Sequence, residues 1–343
     1  MCTILCHGGR SERPPEQGGS VITRRRRASV IAALLVAVLV LATPWGTQSN
    51  GAEVASESSL SSSDDADRVA LGFNVCRSGR PHCARATIRE MYRRWRPLDD
   101  RCDHKAVFAL TYLRTTEEFV RTVRRDPRFF SDLRWVNWED AVFARLYFKA
   151  ADAWRQDRPV AGAWRVAFEA SESDDVTGPG DLLLGMNAHI QRDLPYTLAH
   201  VGLVKPNGRS RKRDHDRVNR FLDRVIDPLQ LELARRYDRL FRDTDAEPSP
   251  FDEALALQAV RGFREAAWRN AERLVSARTE KERDAVRQSI EAYAESQAQL
   301  ILAANTVPGY GAVRDAHCRA HNLRSEGSRS FTRSTGPRFA SRR

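Results

Sequence analysis

From about Val69 to Asn305 apolar residues return every three or four positions, and no run alternates convincingly with a period of two. Positions i, i+3, i+4 and i+7 share one face of a helix, whereas a half-buried strand needs strict alternation, so the pattern commits the chain to an all-α fold. The periodic stretches run approximately over Ala84 to Trp95, Asp100 to Arg124, Trp138 to Arg155, Val160 to Ala170, Asp181 to Val204, Asp214 to Phe241, Phe251 to Ala277 and Thr279 to Ala304. This predicts a single domain of about eight helices. Asn137, followed by Glu139 and Asp140, reads as an N-cap with acids in the first turn, and Pro159, Pro179, Pro206 and Pro248 mark connections. Trp138, Phe143, Tyr147, Trp154, Trp164, Phe168 and Trp268 are the expected aromatic core.

The densest chemistry lies in Gly185-Met-Asn-Ala-His-Ile-Gln-Arg-Asp-Leu-Pro195 and its continuation to His200. In a helix His189 and Asp193 are i and i+4 and share a face, and His200 returns to nearly the same angle. Leu182 and Met186 lie on that stripe, so it points inward. An inward imidazole or carboxylate needs a hydrogen bond, a counter-charge or a metal. Two other segments carry inward histidines: His104, followed at helical spacing by Phe108, Thr111 and Thr115, and His215 of Asp214-His-Asp216, with Asn219 beside its stripe. Two readings follow. In the first, His189, Asp193 and His215 hold zinc or another divalent metal, with His104 as fourth ligand and a bound water as nucleophile. His200 is the weakest ligand of that set, because Pro195 breaks or bends the helix before it. Asp214 or Asp216 then orients an imidazole or acts as base, and Asn187, Arg192 and Asn219 stand behind the ligands. In the second, Asn187, His189, Arg192 and Asp193 form a buried structural network in a protein that is not an enzyme. Gly185 within a helical pattern marks a close approach by another helix or a ligand.

The ends of the chain differ from its middle. Arg24 to Arg27 precede an apolar run, Ala28 to Ala42, that is shorter than the ~20 residues of a membrane span and suits a signal-peptide core. Residues 1–52 are therefore read as a leader, 53–68 as a polar disordered linker, 69–318 as the helical domain and 319–343 as a disordered basic tail. Secretion is the preferred localisation, with a single N-terminal membrane anchor as the alternative. The net charge of +11 is concentrated in the first 30 and last 25 residues. The near-neutral middle argues against a nucleic-acid-binding module. With Cys2 and Cys6 ahead of the leader core, Cys76, Cys83, Cys102 and Cys318 remain, an even set that favours disulfides in an exported chain. The favoured pairs are Cys76 with Cys83 and Cys102 with Cys318; the rival is a zinc site of Cys76, Cys83, Cys318 and either His317 or His321.

The stretches Leu182 to Pro195, Val142 to Phe148 and Asp214 to Asn219 resemble a functionally uncharacterised bacterial family found largely in actinobacteria, the likeness covering roughly His104 to Leu274. More remotely, His189-x3-Asp193, His200 and His215-x3-Asn219 are similar in order to the ligands of zinc-dependent phospholipase C and the single-strand-specific zinc nucleases, with Asn219 where that pattern has an acid. That second resemblance implies a helical, exported zinc enzyme acting on a phosphoester, with a small-molecule or lipid substrate. The competing expectation is the exported helical domain with its polar network. No His-Glu-x-x-His, Gly-x-Ser-x-Gly or phosphate-loop motif is present.

Overall fold

The computed structural model describes residues 76–243 and 250–321. The leader, the linker and most of the basic tail lie outside them. The described residues are helical and contain no strand. Two isolated bridges, Val176 with Thr306 and Val204 with Ser210, pin loops together. The helices are α1 (His82–Asp100), α2 (Ala106–Arg125), α3 (Leu133–Arg155), α4 (Gly162–Glu172), α5 (Gly178–Met186), a π-helical segment (Asn187–Asp193), α6 (Leu194–Val201), α7 (Lys212–Leu222), α8 (Ile226–Arg236), α9 (Leu240–Asp243), α10 (Pro250–Ser276) and α11 (Glu280–Asn305). Residues 310–321 are helical too, so ordered helix enters the first positions of the expected tail.

The expected stretches match these helices closely, with two divisions. The stretch Asp181 to Val204 is α5, the π-helical segment and α6, and Asp214 to Phe241 is α7, α8 and α9. One start is corrected. Helix α3 begins after Asp132, whose carboxylate accepts from the Trp135 N–H at 3.1 Å. Asn137 is therefore inside the helix, buried, and donates its Nδ2–H to the Gly79 carbonyl at 3.0 Å. At α11 Thr279 and Glu282 close a reciprocal capping box, which satisfies two orphan N–H groups.

The apolar stripes meet in two clusters. Phe108, Leu110, Trp164, Leu184, Leu233 and Ile301 are among the buried members of the first. Phe119, Trp135, Leu194, Leu198, Phe221 and Trp268 belong to the second. Phe143 and Ile190 pack against both, so the π-helical segment lies at the seam. It touches α3, α4, α10 and α11 besides its chain neighbours. Two disulfides, Cys76–Cys83 and Cys102–Cys318, occupy the four cysteines, which removes the thiolates that the rival zinc site required. The second ties the helical residues 310–321 to the turn after α1. No described helix is long and apolar enough to cross a membrane.

Candidate functional site

The geometry starts with the widened turn. The Leu194 N–H donates to the His189 carbonyl five residues back, and the π-helical run ends two residues before Pro195. A regular helix would need an N–H at 195 for the Gln191 carbonyl, and the proline ring would press on that carbonyl. The added residue per turn changes which side chains face inward. Such π segments are frequent at functional sites.

Here they turn His189 into an aromatic box. Its ring stacks on Phe143 with centroids 3.5 Å apart, meets Tyr112 edge-on at 4.6 Å, and has Phe108 and Trp164 within 6.0 Å. Gly185 is needed for this packing, since a Cβ there would fall 2.5 Å from the Phe108 ring. His189 Nδ1 lies 3.1 Å from Asp193 Oδ2, which also accepts from Trp164 Nε1 at 3.0 Å, while Arg192 donates to Oδ1 at 3.0 Å. A carboxylate accepting three bonds takes the Nδ1 proton as donor, leaving the neutral ring's lone pair on Nε2. Burial lowers the His189 pKa from its ordinary value, and the Asp193 hydrogen bond opposes that shift.

His189 lines a cavity of about 330 Å³ between the two core clusters. Leu182, Met186, Val218, Leu222, Leu229 and Phe263 make up much of its apolar wall. Its polar lining includes Tyr112, Glu139, Asp140, His189 and Arg264. Tyr112 Oη, Glu139 Oε2, Asp140 Oδ2 and His189 Nε2 are all buried and have no hydrogen-bond partner in the protein. Burial pushes the Asp140 carboxyl up to about 8, helped by the neighbouring Glu139 charge. Burial raises Glu139 to about 7, against the pull of Arg264. The Tyr112 phenol is held well above its usual range by burial and then by Asp140. Burial thus favours the neutral forms of Tyr112, Asp140 and His189 along this lining.

The profile of one protein family, a family of unknown function (DUF5995), matches residues 84–304, which include every element of this cavity. The chain belongs to DUF5995. No curated protein and no solved structure matches it. Membership in DUF5995 brings no activity with it, so the chemistry rests on the side chains.

The residues predicted from sequence are dispersed in this DUF5995 protein. His189 and Asp193 are in direct contact, but among the described residues no three His, Cys, Asp or Glu side chains gather to hold a metal ion. His215 lies behind the cavity wall. Its Nε2 is 3.1 Å from the Arg264 carbonyl and its Nδ1 is 3.2 Å from Arg264 Nη2, so Nε2 carries the proton, and burial holds its pKa well below normal. His104 bridges Arg314 and Asp315. His200 packs edge-on to Trp138 outside the cavity. Asp214 accepts from the Ser131 N–H at 2.8 Å and from its hydroxyl at 2.6 Å, a loop-fastening role, and Asp216 pairs with Lys212 on the surface. Neither lines the cavity. Asn187 Nδ2 donates to the Ala294 carbonyl at 2.8 Å, which secures α11, and Arg192 reaches Glu291 at 2.8 Å. Asn219 is half-buried on α7 and does not line the cavity.

Tyr112, Glu139, Asp140 and Arg264 were not foreseen. The two acids look like first-turn acids when α3 is started at Asn137. With the start at Asp132 they fall in the second turn, on the inward face. Tyr112 was detectable as a polar-tipped aromatic one turn after Phe108.

Proposed function

We propose that this is an exported helical protein whose cavity binds a neutral lipophilic molecule carrying one oxygen function at its buried end. The observation that carries the reading is the grouping of five partnerless buried polar atoms, on Tyr112, Glu139, Asp140, His189 and Arg264, in residues that line a largely apolar cavity. Each unsatisfied buried group costs about 1–3 kcal/mol, and a ligand oxygen would recover part of that. The volume suits a molecule of roughly a dozen non-hydrogen atoms, since a dry 150 Å³ cavity accepts benzene. Arg264 is the only cation on the wall among the described residues, and it engages the His215 carbonyl at 2.8 Å. A phosphate or carboxylate would lose its hydration against the largely apolar wall, so a phosphoester fits poorly. The two disulfides and the Arg24 to Arg27 run before an apolar core support export.

Thermal unfolding with 1-naphthol and with naphthalene tests this reading. At 100 times the dissociation constant a ligand stabilises by about 2.7 kcal/mol, so 1-naphthol raises Tm, and naphthalene, lacking the oxygen, raises it less. Met186→Trp fills the cavity and removes both effects. Absence of any shift with either compound would contradict the proposal.

A further inference from the structure

We propose that the face of the molecule built on α7 docks on an anionic lipid bilayer, through an arginine surface on the outer side of the helix that walls the cavity. The proposal rests on the reading of the cavity as a site for a lipophilic molecule, because that reading selects a bilayer among anionic partners.

Residues 204–224 carry eight Lys and Arg against three Asp, so the middle of the chain is near neutral only on average. Arg213, Arg217 and Arg220 follow one another at intervals of four and three and share one stripe of α7, and Arg224 continues it in the turn that follows. Val218 and Leu222, on the other side of α7, line the cavity. Arg224 reaches Glu118 of α2 at 3.3 Å, and Arg121 and Arg125 reach the same carboxyl group at 2.7 and 3.3 Å, so the stripe runs on across α2. The acids lie underneath. Glu118 is buried, as is Asp214, which pairs with Arg217 at 3.3 Å, whereas Arg121, Arg125, Arg213 and Arg220 are exposed. Arg213 and Arg220 hold no ion pair among the described residues. The acids at the border are already engaged, Asp216 by Lys212, Asp223 by Arg261 and Glu117 by Arg114.

Buried acids beneath exposed guanidinium groups give this face a positive outer layer, the complement of an anionic surface. The hairpin that runs into α7, closed by the Val204–Ser210 bridge, adds an exposed Arg209 and an exposed Val204, and a cation with an apolar side chain suits the headgroup boundary of a membrane. A nucleic acid would satisfy the arginines alone. A bilayer also dissolves neutral lipophilic molecules, so docking there sets the helix that walls the cavity against a reservoir of its ligand.

The test is cosedimentation of the full chain, without cavity ligand, with vesicles of phosphatidylcholine alone and of phosphatidylcholine mixed with phosphatidylglycerol. Wild type should bind only the mixed vesicles and leave them as salt rises from about 0.1 M to about 1 M. Arg213→Glu with Arg220→Glu should weaken that binding at least about tenfold. Its Tm and its 1-naphthol shift should stay at wild-type values, because neither side chain holds an ion pair. Arg329→Glu with Arg333→Glu makes the same change of charge in the basic tail and should weaken binding by less than about threefold. Equal losses in the two double variants, or binding that survives reversal of Arg213 and Arg220, would overturn the proposal. Equally tight binding of wild type to a DNA duplex, lost in the Arg213 and Arg220 variant, would overturn the choice of a bilayer. Each of these outcomes leaves the 1-naphthol shift of wild type in place, whereas failure of the cavity reading abolishes that shift, so the two are told apart.

Discussion

At the scale of single residues the account turns on what a buried charge has for company. Asp193 gathers His189, Arg192 and Trp164, so Asp193→Ala strands three donors and should cost about 3–5 kcal/mol in urea denaturation. Asp140 behaves oppositely because its carboxylate lacks a partner. Its folded pKa of about 8 lies above the ordinary aspartate value of 3.8, so the folded state keeps a proton that the unfolded chain has released. The associated stability is present below about pH 4 and is lost as pH rises through about 8. Asp140→Asn should therefore gain on the wild type between pH 5 and pH 8, by on the order of 2–4 kcal/mol. A pH-independent difference between the two would show that Asp140 ionises normally. The i,i+4 contact of His189 and Asp193 was legible in the sequence because helical spacing alone determines it. The partners from other helices, Tyr112 and Trp164, depend on packing angles that spacing does not contain. The proposed convergence of His104, His200 and His215 failed for the same reason, since an inward face says nothing about which part of the interior it meets.

At the scale of elements, eight periodic stretches anticipated the helices because each buries an amphipathic stripe, which is the property that periodicity measures. What they missed is local. Pro195 was expected to bend or break its helix, and the chain instead widens one turn into the π-helical segment before it, a choice that hydrophobic spacing cannot distinguish. The start of α3 was missed because Asn137 and Asp132 are both competent caps. Gly185 shows the stakes of close packing. Gly185→Ala gains up to ~1 kcal/mol in helix propensity, yet its Cβ would meet the Phe108 ring, which is backed by Tyr147 and Trp164. Overpacking costs about 1–3 kcal/mol, so a lower Tm is expected, together with weaker 1-naphthol binding as the box shifts. Thr279→Ala, which opens the capping box of α11 far from the cavity, should cost about 1 kcal/mol and leave binding unchanged.

For the whole molecule, two packed clusters meet at a seam that holds a cavity, and covalent links close the assembly. Cys102–Cys318 spans 216 residues and Cys76–Cys83 spans 7. In the loop-entropy account these are worth about 5 and about 2 kcal/mol respectively. Cys102→Ser with Cys318→Ser should lower the denaturation midpoint far more than the Cys76/Cys83 double variant. The even cysteine count favoured two disulfides, and these were the preferred pairs of the three connectivities that four cysteines allow. The cavity was not readable, because residues that line it satisfy the same helical periodicity as residues that fill a core. The most direct test of the central claim is the ¹⁵N NMR signal of the His189 imidazole at pH 7 during titration with 1-naphthol. The account predicts a neutral ring protonated on Nδ1, with the Nε2 resonance moving as the naphthol hydroxyl donates to it. A ring protonated on Nε2 in the free protein, or an Nε2 resonance unmoved while 1-naphthol saturates the protein, would contradict it.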